Sequence, residues 1–141
     1  MSARSGDGLR GGSQTFACHT PAAPERVWAA LTGAEATRGY LYGLAAHSTW
    51  EPGATISLEY GGRVRFTGRV LCVHPKERLS YVVQAGEGDP PLYLTWLIRP
   101  TAAGCTIRLE IDEVDLADST EEAEDVWLPV LAALQRRLAE P

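Results

Sequence analysis

The residues of this chain that could do chemistry are few and scattered. Its three histidines, His19, His47 and His74, stand far apart. A general base needs an acid or a substrate within hydrogen-bond reach, and no spacing here joins an imidazole to one. Cys72 and His74 would place a thiol and an imidazole on one strand face. A zinc site needs a second pair at short spacing, and none accompanies them, so no metal is expected. There is no order of Ser, His and Asp worth defending. Gly61-Gly62 suits a hairpin turn rather than a phosphate loop. No catalytic residue and no cofactor is therefore expected. What the chain does have is aromatic surface, with four tryptophans and five tyrosines.

Composition narrows the classes. A length of 141 residues suits one domain with a real core. The net charge of −5 argues against nucleic-acid binding by a basic surface. No apolar run approaches a membrane span. Met1 to Gly12 is Ser, Gly and Arg with a single Leu9, which reads as a disordered tail without the apolar heart of a signal peptide. Cytoplasmic residence is the expectation. Three widely spread cysteines, Cys18, Cys72 and Cys105, read as reduced, packed thiols. Asp112 to Asp125 is an acidic block without a base, as the solvated start of a helix would be.

The elements that must position these residues follow from periodicity. Ala123, Val126, Trp127, Val130, Leu131, Leu134 and Leu138 form one apolar stripe at helical spacing. They predict a long helix over Ser119 to Ala139, with Ser119 and Glu122 as a capping box and Asp118 as a second candidate cap. Pro129 should kink it or split it in two, at a cost of about 3 kcal/mol. Upstream, Ser13 to Thr20 alternates as a strand, and Pro24 to Thr32 and Ala34 to Tyr40 are short helices. Six strands follow. They are His47–Trp50, Thr55–Tyr60 (Ile56, Leu58 and Tyr60 on one face), Arg63–His74 (Val64, Phe66, Gly68, Val70 and Cys72 on one face), Arg78–Gln84, Leu92–Arg99 and Cys105–Glu113. Short turns make them an antiparallel meander with one wet face. Arg63, Arg65 and Arg69 belong to that wet face. Cross-strand ion pairs with the Arg108 and Glu110 strand are expected. The order is β-α-α-β6-α. This predicts an α+β fold, an antiparallel sheet of about seven strands wrapped around the last helix. Residues 13–141 then form a single domain, with Trp127 as its central packing residue.

Several segments together resemble one family. Ala23-Pro24-Glu25-Arg26-Val27-Trp28-Ala29-Ala30-Leu31-Thr32 is similar to the opening signature of the family named after the activator of Hsp90 ATPase, within the START/Bet v 1-like (SRPBCC, helix-grip) superfamily. Thr37 to Gly43, the turn Trp50-Glu51-Pro52-Gly53, Gly68 to Leu71 with Pro75, Arg78-Leu79 and Tyr81, Thr95-Trp96 with Gly104, and Trp127 with Pro129 continue the likeness. The resemblance covers about Gln14 to Leu138 and implies the helix-grip fold. It also implies a pocket between sheet and last helix for a small apolar molecule. Candidate lining residues are Trp50, Tyr60, Phe66, Tyr81, Trp96 and Trp127, with Tyr40 and Tyr42 at the mouth and His47 as a polar group. The rival reading is that these aromatics fill the core. Relatives carry a longer loop, rich in Gly and Phe, over the cavity mouth, where this chain has Val114 to Asp118. Non-catalytic binding of a small hydrophobic molecule is the leading expectation. A cyclase or hydrolase using the same pocket, or a co-chaperone-like module with a protein partner, are the alternatives. No nucleic acid and no membrane is expected, and the protein would be a monomer or homodimer.

Overall fold

Alternating side chains bring the strands into one seven-stranded antiparallel sheet, ordered β1-β7-β6-β5-β4-β3-β2. The computed structural model describes residues 13–113 and 120–140. The elements are β1 (Ser13–Thr20), α1 (Pro24–Thr32), α2 (Ala34–Tyr40), β2 (Ala45–His47), β3 (Thr55–Tyr60), β4 (Arg63–His74), β5 (Arg78–Gln84), β6 (Leu92–Thr101), β7 (Gly104–Glu113) and α3 (Thr120–Ala139). The N-terminal tail, the capping residues Asp118 and Ser119 and the loop from Val114 lie outside the described residues. None of the described helices is long and apolar enough to cross a membrane.

The inward rows of the sheet follow from its register. Phe16, Leu109, Trp96 and Leu79 face one another across four strands, and Gln14, Ile111, Leu94 and Tyr81 form the next row. The first of these rows is buried throughout. The final helix rests chiefly on β1, α1 and α2. Val130, Leu131, Leu134 and Leu138 in its C-terminal half are buried. That half is also clamped. The Arg26 guanidinium donates to the carbonyls of Leu138, at 3.1 Å, and Glu140, at 2.9 Å. It thereby satisfies acceptors a helix end leaves open, and the cation suits the negative end of the dipole. Gln135 Nε2 donates to the His19 carbonyl at 2.7 Å.

The structure corrects several expectations. The helix is one continuous element through Pro129, not two pieces. Trp127 is only partly buried and Val126 is 44% exposed, so the packing centre lies one to three turns further on, at Val130 to Leu138. The first short strand is Ala45–His47 rather than His47–Trp50. Trp50 has φ of 60°, and its N–H bonds the Ser48 hydroxyl at 3.0 Å, a local turn that ends the extended run. The face pattern of β4 breaks twice. One register shift falls between Val70 and Cys72. Leu71 is the extra residue, so Val73 packs against the core and Cys72 stands level with Ser80 on the other face. The other shift opposes Leu58 to Phe66 and Glu59 to Val64, leaving Arg65 unpaired. Beyond it Val64 turns to the outer face opposite Glu59, and both Val64 and Tyr60 are exposed. A bulge has this effect because one added residue reverses every later side chain. The Arg108–Glu110 pair, at 3.6 Å, lies within β7 rather than across strands, while Arg69 donates to the Gly53 carbonyl.

Gly68 sits where β4 passes closest to β5. A Cβ there would stand 1.7 Å from the Val82 carbonyl oxygen, so the strands could not keep their ladder. Gly68→Ala should destabilise the fold by about 3 kcal/mol. Leu134→Ala should cost about 2 to 5 kcal/mol through the cavity it leaves. Urea unfolding checks both, and unchanged midpoints would remove these two sites from the framework.

Candidate functional site

The gap between the sheet and the N-terminal half of α3 is a cavity of about 410 Å³. Its floor is the sheet: Gln14, Leu58, Phe66, Tyr81, Val83, Leu92, Leu94 and Ile111, contributed by six of the strands. Its roof is Ala123, Val126 and Trp127 of α3, and Leu41, Tyr42 and Leu44 after α2 close one side. Among these described lining residues there is no Asp, Glu, His, Lys, Arg or Cys. The arrangement can exclude water from an apolar guest and stack aromatic rings against it. It offers no acid–base pair.

Of the nine residues proposed from the sequence, four line this space: Tyr42, Phe66, Tyr81 and Trp127. Three stand behind Tyr81 as packing. The Trp50 ring meets Tyr81 edge-on at 6.1 Å, and Tyr40 meets Trp96 at 6.3 Å and 82°. Trp96 Nε1 donates to the Tyr81 hydroxyl at 3.2 Å, and Tyr40 donates to the Ala30 carbonyl at 2.9 Å. The two remaining residues do not reach the cavity. His47 is exposed at the sheet edge, 3.7 Å from Glu59, because β2 is the last strand and residue 47 points to its wet side. Tyr60 lies outside the bulge in a shallow groove with Tyr42, Leu44, Arg65 and Phe66, and Arg65 sits 5.5 Å from its ring centre.

The mouth is shaped by backbone choices that no periodicity shows. Tyr42 and Gly43 both take positive φ, 55° and 82°, directly after α2. Gly43 is required there: a Cβ would meet the Tyr60 ring at 2.7 Å. The turn sends Tyr42 across to α3, where its hydroxyl donates to the Val126 carbonyl. Pro129 removes the N–H that would otherwise bond the Asp125 carbonyl, and the tyrosine bonds the carbonyl next to it. The aliphatic lining, above all Leu92, Leu94, Val83 and Ile111, escaped the sequence reading. The signal was available in strand parity, since Val83 shares its face with Tyr81, and Leu92 and Leu94 with Trp96. Which inward row meets the helix and which meets the cavity was not.

Burial controls ionisation at the inner wall. It pushes the Tyr81 phenol up to about 12, outweighing the Trp96 hydrogen bond, and holds Tyr40 well above its usual range. It also raises the Cys18 thiol to about 11. Among the described residues no cluster of His, Cys, Asp and Glu could hold a metal ion.

A family profile described as "Activator of Hsp90 ATPase homolog 1-like protein" matches residues 21–139, and the chain belongs to that family. No curated protein matches. Among solved structures, the chain is similar to protein MLL2253 of Mesorhizobium loti, at 20% identity and a TM-score of 0.76, covering 90% of this chain and 96% of that one. It is also similar to protein CV1439 of Chromobacterium violaceum, at 19% identity and a TM-score of 0.73, covering 92% and 99%. DynU16, from the dynemicin biosynthetic locus, aligns over 89% of this chain and 46% of its own at 20% identity, with a TM-score of 0.72. At such identities the likeness is one of fold.

Tyr81 gives a prediction of sign. Its native value, about 12, exceeds the ordinary 10.0, so the unfolded chain loses this proton first. The stability it carries is whole below pH 10 and falls as pH rises towards 12. Tyr81→Phe should flatten that alkaline decline in urea midpoints. Parallel declines in the two proteins would show that burial does not hold the phenol protonated.

Proposed function

We propose that this protein binds a small, predominantly apolar molecule between its sheet and its last helix, without carrying out chemistry on it. The observation that carries the reading is the cavity of about 410 Å³ with its apolar lining. Protein interiors are close-packed and seldom keep voids larger than a water molecule. Pockets for small molecules start near 300 Å³ and are lined as this one is, by apolar and aromatic side chains with a few polar groups. Membership of the family, with its helix-grip architecture, supports the same reading. Binding is favoured over a cyclase or hydrolase role because the described lining supplies no carboxylate, imidazole, amine or thiol to a guest.

Native mass spectrometry of the purified protein should show a co-purifying small molecule. A plain aromatic hydrocarbon, 2-ethylnaphthalene, should raise the melting temperature by mass action and change the fluorescence of Trp127. Ala123→Phe puts a ring into the roof of the cavity and should weaken that binding by about tenfold or more, near 1.4 kcal/mol, with the fold retained. If no small molecule accompanies the protein and the hydrocarbon leaves both signals unchanged at its solubility limit, the carrier reading fails.

A further inference from the structure

Among the described lining residues, Tyr81 is a buried polar side chain with unspent hydrogen-bonding capacity. Tyr81 is 2% exposed and lines the cavity wall. Its oxygen accepts from Trp96 Nε1 at 3.2 Å, and the Trp50 ring meets its ring edge-on at 6.1 Å. Among the described residues, no acceptor stands against its own proton. This differs from the other tyrosines nearby, since Tyr40 donates to Ala30 and Tyr42 to Val126. A buried hydroxyl left without an acceptor is costly, and native proteins rarely leave one without a partner or a function.

We propose that Tyr81 is the orienting group of this cavity, donating a hydrogen bond to an uncharged acceptor oxygen, such as a ketone or ester carbonyl, on the molecule bound there. The proposal rests on the carrier reading and adds the chemical class of the guest. The indole N–H polarises the phenol oxygen and makes its proton a better donor, since hydrogen bonds in a chain strengthen one another. The acceptor is neutral because the described lining contains no cation. A carboxylate or phosphate placed there would be a buried charge without a partner, which is far costlier than a buried carbonyl. The phenol itself stays protonated across the physiological range and so remains a donor. Gln14, the other polar side chain with an amide in the lining, is partly exposed on β1, three strands away from Tyr81 in the same row. A molecule whose oxygen meets Tyr81 therefore lies with its apolar body along Leu94 and Ile111.

The test uses two near-isosteric compounds, 2-acetylnaphthalene, which has the carbonyl, and 2-ethylnaphthalene, which does not. Tyr81→Phe should weaken the ketone by about tenfold and change the hydrocarbon by less than about twofold, the contribution expected of one hydrogen bond. In the unaltered protein, the infrared carbonyl stretch of bound 2-acetylnaphthalene should lie below its position in hexane, which requires no variant to fold. Equal weakening of both compounds, or a stretch at the hexane position, would overturn the role of Tyr81 while leaving the carrier reading intact. Failure of both compounds to bind would overturn both.

Discussion

The structure depends on how the last helix is held at one end. Its C-terminal half is pinned by four buried side chains, Val130, Leu131, Leu134 and Leu138, and by the Arg26 and Gln135 hydrogen bonds to backbone carbonyls. The Arg26 fork is a charge-assisted contact between α1 and the helix end, worth more than a neutral bond. With that half fixed on β1, α1 and α2, the N-terminal half is left as a roof over the rest of the sheet. Pro129 falls at the division between the two. One helix thus does two jobs, sealing a core and covering a space.

The aromatics divide along the same line. Trp96 is in the fully buried inward row with Phe16, Leu109 and Leu79 and is 1% exposed, with Tyr40 against its ring. Tyr81 is one row further along the sheet, where Leu94 and Ile111 are its neighbours and no larger side chain crosses the gap. A filled core and a pocket are therefore not exclusive readings of these aromatics. The same kind of residue serves as packing in one row and as wall in the next. The Trp96–Tyr81 hydrogen bond joins the two roles, since the packed tryptophan fixes a tyrosine that lines the cavity.

Two irregularities in β4 account for most of the misplaced side chains. A strand carries its inside and outside by parity alone, so the extra residue at Leu71 moved Cys72 off the inner face and the extra residue at Arg65 turned Val64 outward. Nothing in Arg63 to His74 marks either site, because a bulge is set by the mismatch between two strands and is a property of the pair. His47 failed as a pocket residue for a related reason. Its strand begins two residues earlier than alternation suggested, anchored by the Ala46 N–H on the Thr37 hydroxyl at 2.8 Å, a contact between elements nine residues apart.

What the sequence determined by itself is what local physics sets. Alternation in β1, β5, β6 and β7, the stripe from Ala123 to Leu138, and the turn chemistry at Pro24 and Gly61-Gly62 were enough for element order and fold class, while the family rested on the likeness of whole segments such as Ala23 to Thr32. These signals are periodic and confined to a few neighbouring residues, so they can be read without partners. The tertiary structure alone decided that a cavity exists, that Tyr42, Phe66, Tyr81 and Trp127 border it, and that Trp50, Trp96 and Tyr40 stand behind it. Register across six strands, two bulges and the pinning of one end of α3 set these distances. Each is a relation between segments far apart in the chain, and no single segment carries a trace of it.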